Sequence, residues 1–270
     1  FEELRDIAAA AVRCGINKIR VTGGEPLVRR GIVDFCRMLS ALEGLEELCL
    51  TTNGSLLPAL ARPLREAGLH RLNISLDTLR PERFRFITRL GSLAQTLEGI
   101  HAAEEAGFED LKLNCVLLGG VNEDEIVDFV NLTREKPWQI RFIEKMPIGN
   151  RTGWGSYIPA QTVLEKCPEL EPIECSGVAA CYHLPGAAGT VGLITPMSHA
   201  FCSSCNRIRV TADGKLKFCL HAAGELPLRG LRGEELEAAI RKGILMKPRQ
   251  HHMEVRDSAE TDRAMYEIGG

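Results

Sequence analysis

The chain has 270 residues, 44% hydrophobic and 26% charged, with a formal net charge of −3. Those proportions are ordinary for one globular domain or two, and the weak negative charge gives no general case for binding nucleic acid or an anionic membrane. No apolar run approaches the roughly 20 residues that span a bilayer, and the acidic, helix-like opening "FEELRDIAAAAVRCG" is no signal peptide, so a cytoplasmic setting is expected.

In chain order, the first 150 residues alternate short β-branched runs with helical patterns. Predicted strands are "KIRVT" (18–22), "LEELCLTT" (45–52), "RLNISLD" (71–77), "LKLNCVLL" (111–118) and "QIRFIEKMP" (139–147). Between them, "GIVDFCRMLSAL" and "SLAQTLEGIHAAEEAG" carry apolar residues at helical spacing. A βαβαβ series implies a parallel sheet, open or closed into a barrel, with function gathered at the carboxyl ends of the strands. Those ends read "TGGEP", "TTNG", "SLDT", "NCVLLGGVN" and "EKMPIG", more polar and glycine-rich than turning requires. Beyond Gly149 the pattern changes. A polar loop leads to a short helix near 160–166, then to predicted antiparallel strands "AACYHLP", "GTVGLITP", "RIRVTAD" and "KLKFCL", with "ADG" as a hairpin turn. A last helix, "GEELEAAIRKGILM", precedes a tail ending "MYEIGG". Two regions are expected, 1–149 and 150–270.

Gly23-Gly24 follow a strand and would let a ligand approach the backbone, and Glu25 could hold an ammonium group; an ordinary βα turn explains the same string equally well. Lys18 and Arg20 alternate on one strand, Arg207 and Arg209 on another, and Lys112 and Arg141 lie on two more. Side chains at i and i+2 share a face. Any one pair reads as a solvated face, but three such places together favour an anionic substrate, with a polyphosphate the natural partner.

The ten cysteines are expected to be free or metal-bound rather than disulfide-linked. Cys14, Cys36, Cys49 and Cys115 sit among periodic apolar residues and read as small core residues. Cys167, Cys175 and Cys181 have no assigned role. Cys202, Cys205 and Cys219 form CxxC-x13-C across a hairpin. Completed by His221, they would make a Cys3His zinc staple; left as three, they suit an iron–sulfur cluster with one open iron. Spacing alone does not choose.

Taken in order, "IRVTGGEPLVRR", "TTNG", "RLNISLDTL", "RFIEKMPIG" and "CSSCNRIRVTADGKLKFCL" resemble the molybdenum cofactor biosynthesis protein A family, the GTP 3′,8-cyclases of the radical S-adenosylmethionine enzymes, over nearly the whole chain. The resemblance implies an incomplete (β/α)6 TIM-like barrel with a C-terminal α+β extension. It implies two [4Fe-4S] clusters. One reductively cleaves S-adenosylmethionine to a radical that abstracts the 3′ hydrogen of GTP; the other has three cysteine ligands and an open iron for guanine. Carried over by position, Cys202, Cys205 and Cys219 are the ligands of the second cluster. Lys18, Arg20, Thr51, Lys112, Arg141, Arg207, Ile208 and Arg209 are GTP contacts, and Gly23, Gly24, Glu25, Ser75 and Met146 are S-adenosylmethionine contacts. Gly269 and Gly270 form a tail that acts in the site with Arg207 and Arg209. Implied partners are a reductant protein such as flavodoxin or ferredoxin and, downstream, cyclic pyranopterin monophosphate synthase; a homodimer is compatible. The chain departs from the family in three ways. The CxxxCxxC of the first cluster is missing and is expected to precede Phe1, Gly119 replaces a common Arg, and Lys145 replaces an aromatic residue. The competing readings are another radical enzyme with an auxiliary cluster, such as a peptide-modifying maturase, and a non-catalytic zinc-stapled nucleotide-binding module.

Overall fold

Polar and apolar residues alternate along the early strands, and that alternation decides the architecture. The computed structural model describes residues 1–148, 155–250, 261 and 263–268. It begins with helix α1 (Glu2–Arg13), whose acidic first turn and basic last turn suit the helix dipole. Strand β1 (Lys18–Val21) and helix α2 (Ile32–Ser40) follow, then β2 (Glu47–Thr52), α3 (Leu57–Glu66) and β3 (Arg71–Ser75). Next come α4 (Pro81–Thr88), α5 (Leu93–Glu105), β4 (Lys112–Leu117), α6 (Ile126–Glu135) and β5 (Gln139–Glu144). Each strand is shorter than its sequence pattern: β1, β3 and β5 end early at their carboxyl ends, β2 starts two residues late, and β4 loses one residue at each end.

The main sheet has eight strands in the order β1-β2-β3-β4-β5-β8-β7-β6, where β6 is Glu171–Ile173, β7 Ala180–His183 and β8 Thr190–Ile194. Strands β1 to β5 and β8 are parallel, and β7 runs against both its neighbours. "GTVGLITP" is thus not purely antiparallel, as its sequence suggests. Helix α7 (Gln161–Lys166) returns the chain to start β6, a loop over 174–179 leads to β7, and a second reversal brings β8 back alongside β5. The sheet therefore continues across residue 150. It is open, with β1 and β6 as its edges.

One face of this sheet is apolar. Leu48, Leu50, Leu72, Ile74, Leu113, Ile140, Phe142, Val191 and Leu193 are buried there in the same core as residues of the surrounding helices, each such side chain contributing about 1.5–3 kcal/mol. A second, smaller core lies between α1, α8 (Gly233–Leu245) and a three-stranded antiparallel sheet of β9 (Arg209–Val210), β10 (Lys215–Lys217) and β11 (Glu225–Pro227). Ile7 and Ala10 of α1 pack with Leu216, Phe218, Leu236 and Ile240. The first helix of the chain thus belongs to the core of its last third.

Two cysteines are bonded, contrary to the expectation of free thiols: Cys175 and Cys181 form a disulfide. The β6–β7 hairpin brings them together by pairing Ile173 with Cys181. Cys36, Cys49, Cys115 and Cys167 are buried, and Cys14 packs beside the second core.

Helix α5 comes close to the "TTNG" turn. A Cβ on Gly99 would lie 2.0 Å from the Gly54 carbonyl oxygen, and Gly54 itself has φ +82°, where only glycine is at ease. Gly99→Ala should therefore destabilise the protein by about 1–3 kcal/mol, read as a lower urea midpoint with unchanged slope; an unaltered midpoint would refute the tight contact.

Candidate active site

Register fixes what the other face of the sheet carries. Arg20 lies beside Cys49 and Cys49 beside Arg71; Thr51 lies beside Asn73, Asn73 beside Lys112, and Lys112 beside Gln139; Asn114 lies beside Ser75 and Arg141. Neighbours in register point the same way. Parallel sheets are usually apolar on both faces, so this polar face calls for a chemical reason.

The charges supply one. Lys18 forms an ion pair with Glu47, which also takes Arg71 at 2.8 Å. By contrast, no described carboxylate lies within ion-pair distance of Arg20, Lys112, Arg141 or Arg207. Burial first, then Arg141, Arg71, Lys18 and Arg20, push the Lys112 ammonium down to about 8. Burial, then Arg20, Arg207 and Arg71, lower Arg141 to about 10. Arg209 is likewise lowered to about 10 by burial and then by Arg207. Two regions far apart in sequence thus bring their cations together. Arg20 touches Thr51 (3.5 Å), and Gln139 holds Arg141 through Nε (2.6 Å).

Asn73 and Asn114, absent from the sequence-predicted set, lie on the same face with buried Oδ1 atoms that lack a hydrogen-bond partner. Buried acceptors in native proteins are nearly always satisfied. Two orphans beside unpaired cations mark a place for a ligand carrying both negative charge and hydrogen-bond donors. The available signal was their i+2 spacing from Arg71 and Lys112.

The loops at the carboxyl ends are pinned by side chains. Glu25 accepts from the Leu27 amide (3.0 Å), the Thr52 hydroxyl (2.7 Å) and the Asn53 amide (2.7 Å). Its carboxylate thus also braces the loop after β1 against the "TTNG" turn. Asn122 donates to the carbonyls of Asp77 (2.7 Å) and Val116 (2.8 Å) and accepts from the Leu118 amide. Glu144, fully buried, accepts from the amides of Ala160, Met197 and Ser198 and from the Ser198 hydroxyl. Burial works against its charge, but these donors prevail and hold its carboxyl below the usual value. The sequence reading placed Glu144 in a strand end and missed this role.

Gly23 and Gly24 follow β1, Ser75 ends β3 and Met146 follows β5, so all three stand at the same edge of the sheet, above the cations. A Cβ on either glycine would meet nothing within 4 Å; the backbone there faces open space. Gly119 exchanges backbone hydrogen bonds with Ser156, and a Cβ would lie 2.4 Å from the Ser156 hydroxyl, so this bridge leaves no room for the family's arginine. Lys145 donates to the Gly155 carbonyl (2.7 Å). Gly269 and Gly270 lie outside the described residues, but the preceding Ile268 is buried and its carbonyl accepts from Arg209 (3.2 Å).

Cys202, Cys205 and Cys219 are partly exposed free thiols. Among the described residues, no group of three or more His, Cys, Asp or Glu side chains is drawn together around a single point. Lys247 donates to the Cys205 sulfur (3.3 Å). Burial raises the Cys205 thiol, but the Arg207 amide and Lys247 outweigh it and favour the thiolate. Soft donors in a cationic setting fit an iron–sulfur cluster, which takes each thiolate on a different iron.

The Radical SAM superfamily model matches residues 1–133, and the Molybdenum Cofactor Synthesis C model matches residues 138–253. The chain is 51% identical over 280 residues to a GTP 3′,8-cyclase of Peptoclostridium acidaminophilum, covering 100% of this chain and 85% of that protein. It is 48% identical over 282 residues to one of Moorella thermoacetica (100% and 87%) and 46% over 285 to one of Pseudomonas putida (100% and 85%). The crystal structure of Streptococcus suis SuiB shares the fold, with a TM-score of 0.59 at 13% identity over 98% of this chain and 70% of that one.

The lowered Lys112 predicts a pH effect. An anion on the face restores the ammonium, so binding takes up a proton above pH 8 and affinity falls as pH rises through about 8. Titration of inorganic tripolyphosphate from pH 7 to 10 should show this loss relative to Lys112→Met. Identical pH profiles for the two proteins would refute it.

Proposed function

The chain belongs to the GTP 3′,8-cyclase family of the radical SAM superfamily, and we propose that it converts GTP to 3′,8-cyclo-7,8-dihydroguanosine triphosphate, the first step of molybdenum cofactor synthesis. The observation that carries this reading is the meeting of Arg20, Lys112 and Arg141 with Arg207 and Arg209, four of them without an acidic partner among the described residues. A triphosphate supplies the missing charge. Guanidinium forks match phosphate oxygens in pairs, whereas Lys112 acts as a point charge. Thr51, Lys18 and Ile208 complete the pocket.

In this reading residues 1–149 form most of an incomplete (β/α)6 barrel and residues 150–270 an extension over its open side. S-adenosylmethionine lies against Gly23, Gly24, Ser75 and Met146, on loops that Glu25, Asn122 and Glu144 hold in place. Cys202, Cys205 and Cys219 hold a [4Fe-4S] cluster, which when bound supplies an open iron as a Lewis acid for the purine. Arg207 and Arg209 contact the triphosphate from the other side, and the ribose lies between the cation face and the S-adenosylmethionine loops. Gly269 and Gly270 enter from the tail that Arg209 grips at Ile268. A second cluster, a reductant such as flavodoxin or ferredoxin, a pyranopterin synthase downstream, and a homodimer in the cytoplasm complete the proposal. Among the described residues no helix is long and apolar enough to cross a membrane.

Loss of one charge-assisted contact costs about 1.5–3 kcal/mol, so Arg207→Ala or Arg209→Ala should weaken GTP binding at least tenfold with iron content unchanged. Equal affinity, measured by anaerobic calorimetry, would remove both from phosphate or guanine recognition. Cys219→Ala should lose the iron of the C-terminal cluster; full iron, or zinc alone in the parent protein, would contradict the ligand assignment.

A further inference from the structure

The last described residues carry a built attachment that GTP chemistry does not itself explain. Arg263 Nε donates to Glu225 Oε1 at 2.5 Å, and Nη2 donates to Glu225 Oε2 and Asp213 Oδ2, both at 2.9 Å. Asp213 sits in the β9–β10 turn and Glu225 on β11, where register places it beside Lys217. Lys217 is fully buried. Its ammonium donates to the Thr261 hydroxyl at 3.1 Å and to the Ala222 carbonyl, with Glu225 at 4.0 Å. A buried ammonium needs acceptors, and one of the acceptors here is supplied by the tail. A short turn follows, in which Glu267 accepts from the Ala264 amide (2.7 Å) and donates its own amide to the Ala264 carbonyl (2.9 Å). It ends at buried Ile268, whose carbonyl Arg209 holds.

Three grips at residues 261, 263 and 268 thus fix both the register and the direction of the segment, and the third comes from a side chain of the cation cluster. A tail that only needed to lie on the surface would need no bidentate arginine and no buried lysine. We propose that Arg263 is a positioning residue. By latching the C-terminal segment to Glu225 and Asp213, it sets the register in which Ile268 meets Arg209. A slip of one residue would displace an extended chain by about 3.3 Å, enough to remove a terminal group from a reacting sugar. This rests on the reading of Gly269 and Gly270 as acting in GTP cyclisation.

The test uses the anaerobically prepared holoenzyme with Arg263→Ala, Arg263→Lys and Thr261→Val, read by hydrogen exchange of residues 263–268, turnover, GTP affinity and iron content. Arg263→Ala should speed exchange there at least tenfold and lower kcat at least tenfold, with GTP affinity within twofold and iron unchanged. Arg263→Lys, which keeps the charge but not the fork, should fall between, and Thr261→Val should loosen the segment less. Asp213→Asn serves if Arg263→Ala unfolds. Protected tail amides in Arg263→Ala would overturn the latch, and fast exchange with parental kcat would overturn its positioning role. A parent enzyme inactive on GTP would instead sink the functional reading, while the exchange result still decides the latch.

Discussion

Unpaired positive charge on one face of a parallel sheet is the constraint on which the rest of the structure depends. Like charges gathered away from bulk water repel each other and lose hydration, and the lowered Lys112 and Arg141 express both effects. The sheet neutralises part of this charge itself: Glu47 sits between Lys18 and Arg71. Two residues further along each strand, no such carboxylate is provided. The sheet tolerates this because its opposite face buries an unbroken apolar layer. Stability and binding are thereby separated by the two-residue period of the strands.

The carboxylates that the face lacks are found at its rim. Glu25, Glu125 and Glu144 accept from backbone amides of neighbouring loops, and Asp77 accepts from the Val116 amide of β4. Glu125 also takes the Thr78 hydroxyl and Arg83 (2.8 Å). Each carboxylate ties one strand-end loop to another segment, so loops that would be mobile if they only turned are fixed before a ligand arrives. Acidic residues therefore act here as braces, and substrate-facing charge stays of one sign.

Much of this was legible in the sequence, for definite reasons. Period-2 alternation placed β1 to β5, and the paired cations on "KIRV" and "RIRV" announced an anion. The direction of β8 was not legible, because a hairpin reversal leaves no trace in the strand itself. Strands of three residues, such as β6 and β11, are too short to show a period. Asn73 and Asn114 looked like ordinary strand residues; only burial without a partner distinguishes them. Cys175 and Cys181 are six apart, a spacing without meaning until the hairpin sets their register. Arg263 drew no notice because both its acids lie dozens of residues earlier.

The second core also bears on what the three hairpin cysteines are for. Small domains that cannot bury enough apolar surface depend on a metal to fold. This one does not stand in that position. Ile7 and Ala10 from the first helix, Leu216, Phe218 and Leu228 from the small sheet and its flank, and Leu236 and Ile240 from α8 form a continuous buried cluster. Arg13 pairs with Glu237 at 2.6 Å across it, and Arg263 and Lys217 close the other side. A staple would add little to a unit already tied to the opposite end of the chain. The thiols are instead partly exposed, Cys205 lies beside Lys247, and Cys205 and Cys219 feel the charge of Arg209. A cell of cations around soft donors is poor structural cement, since the cations repel one another whenever nothing is bound. It is well suited to a centre that binds an anionic ligand.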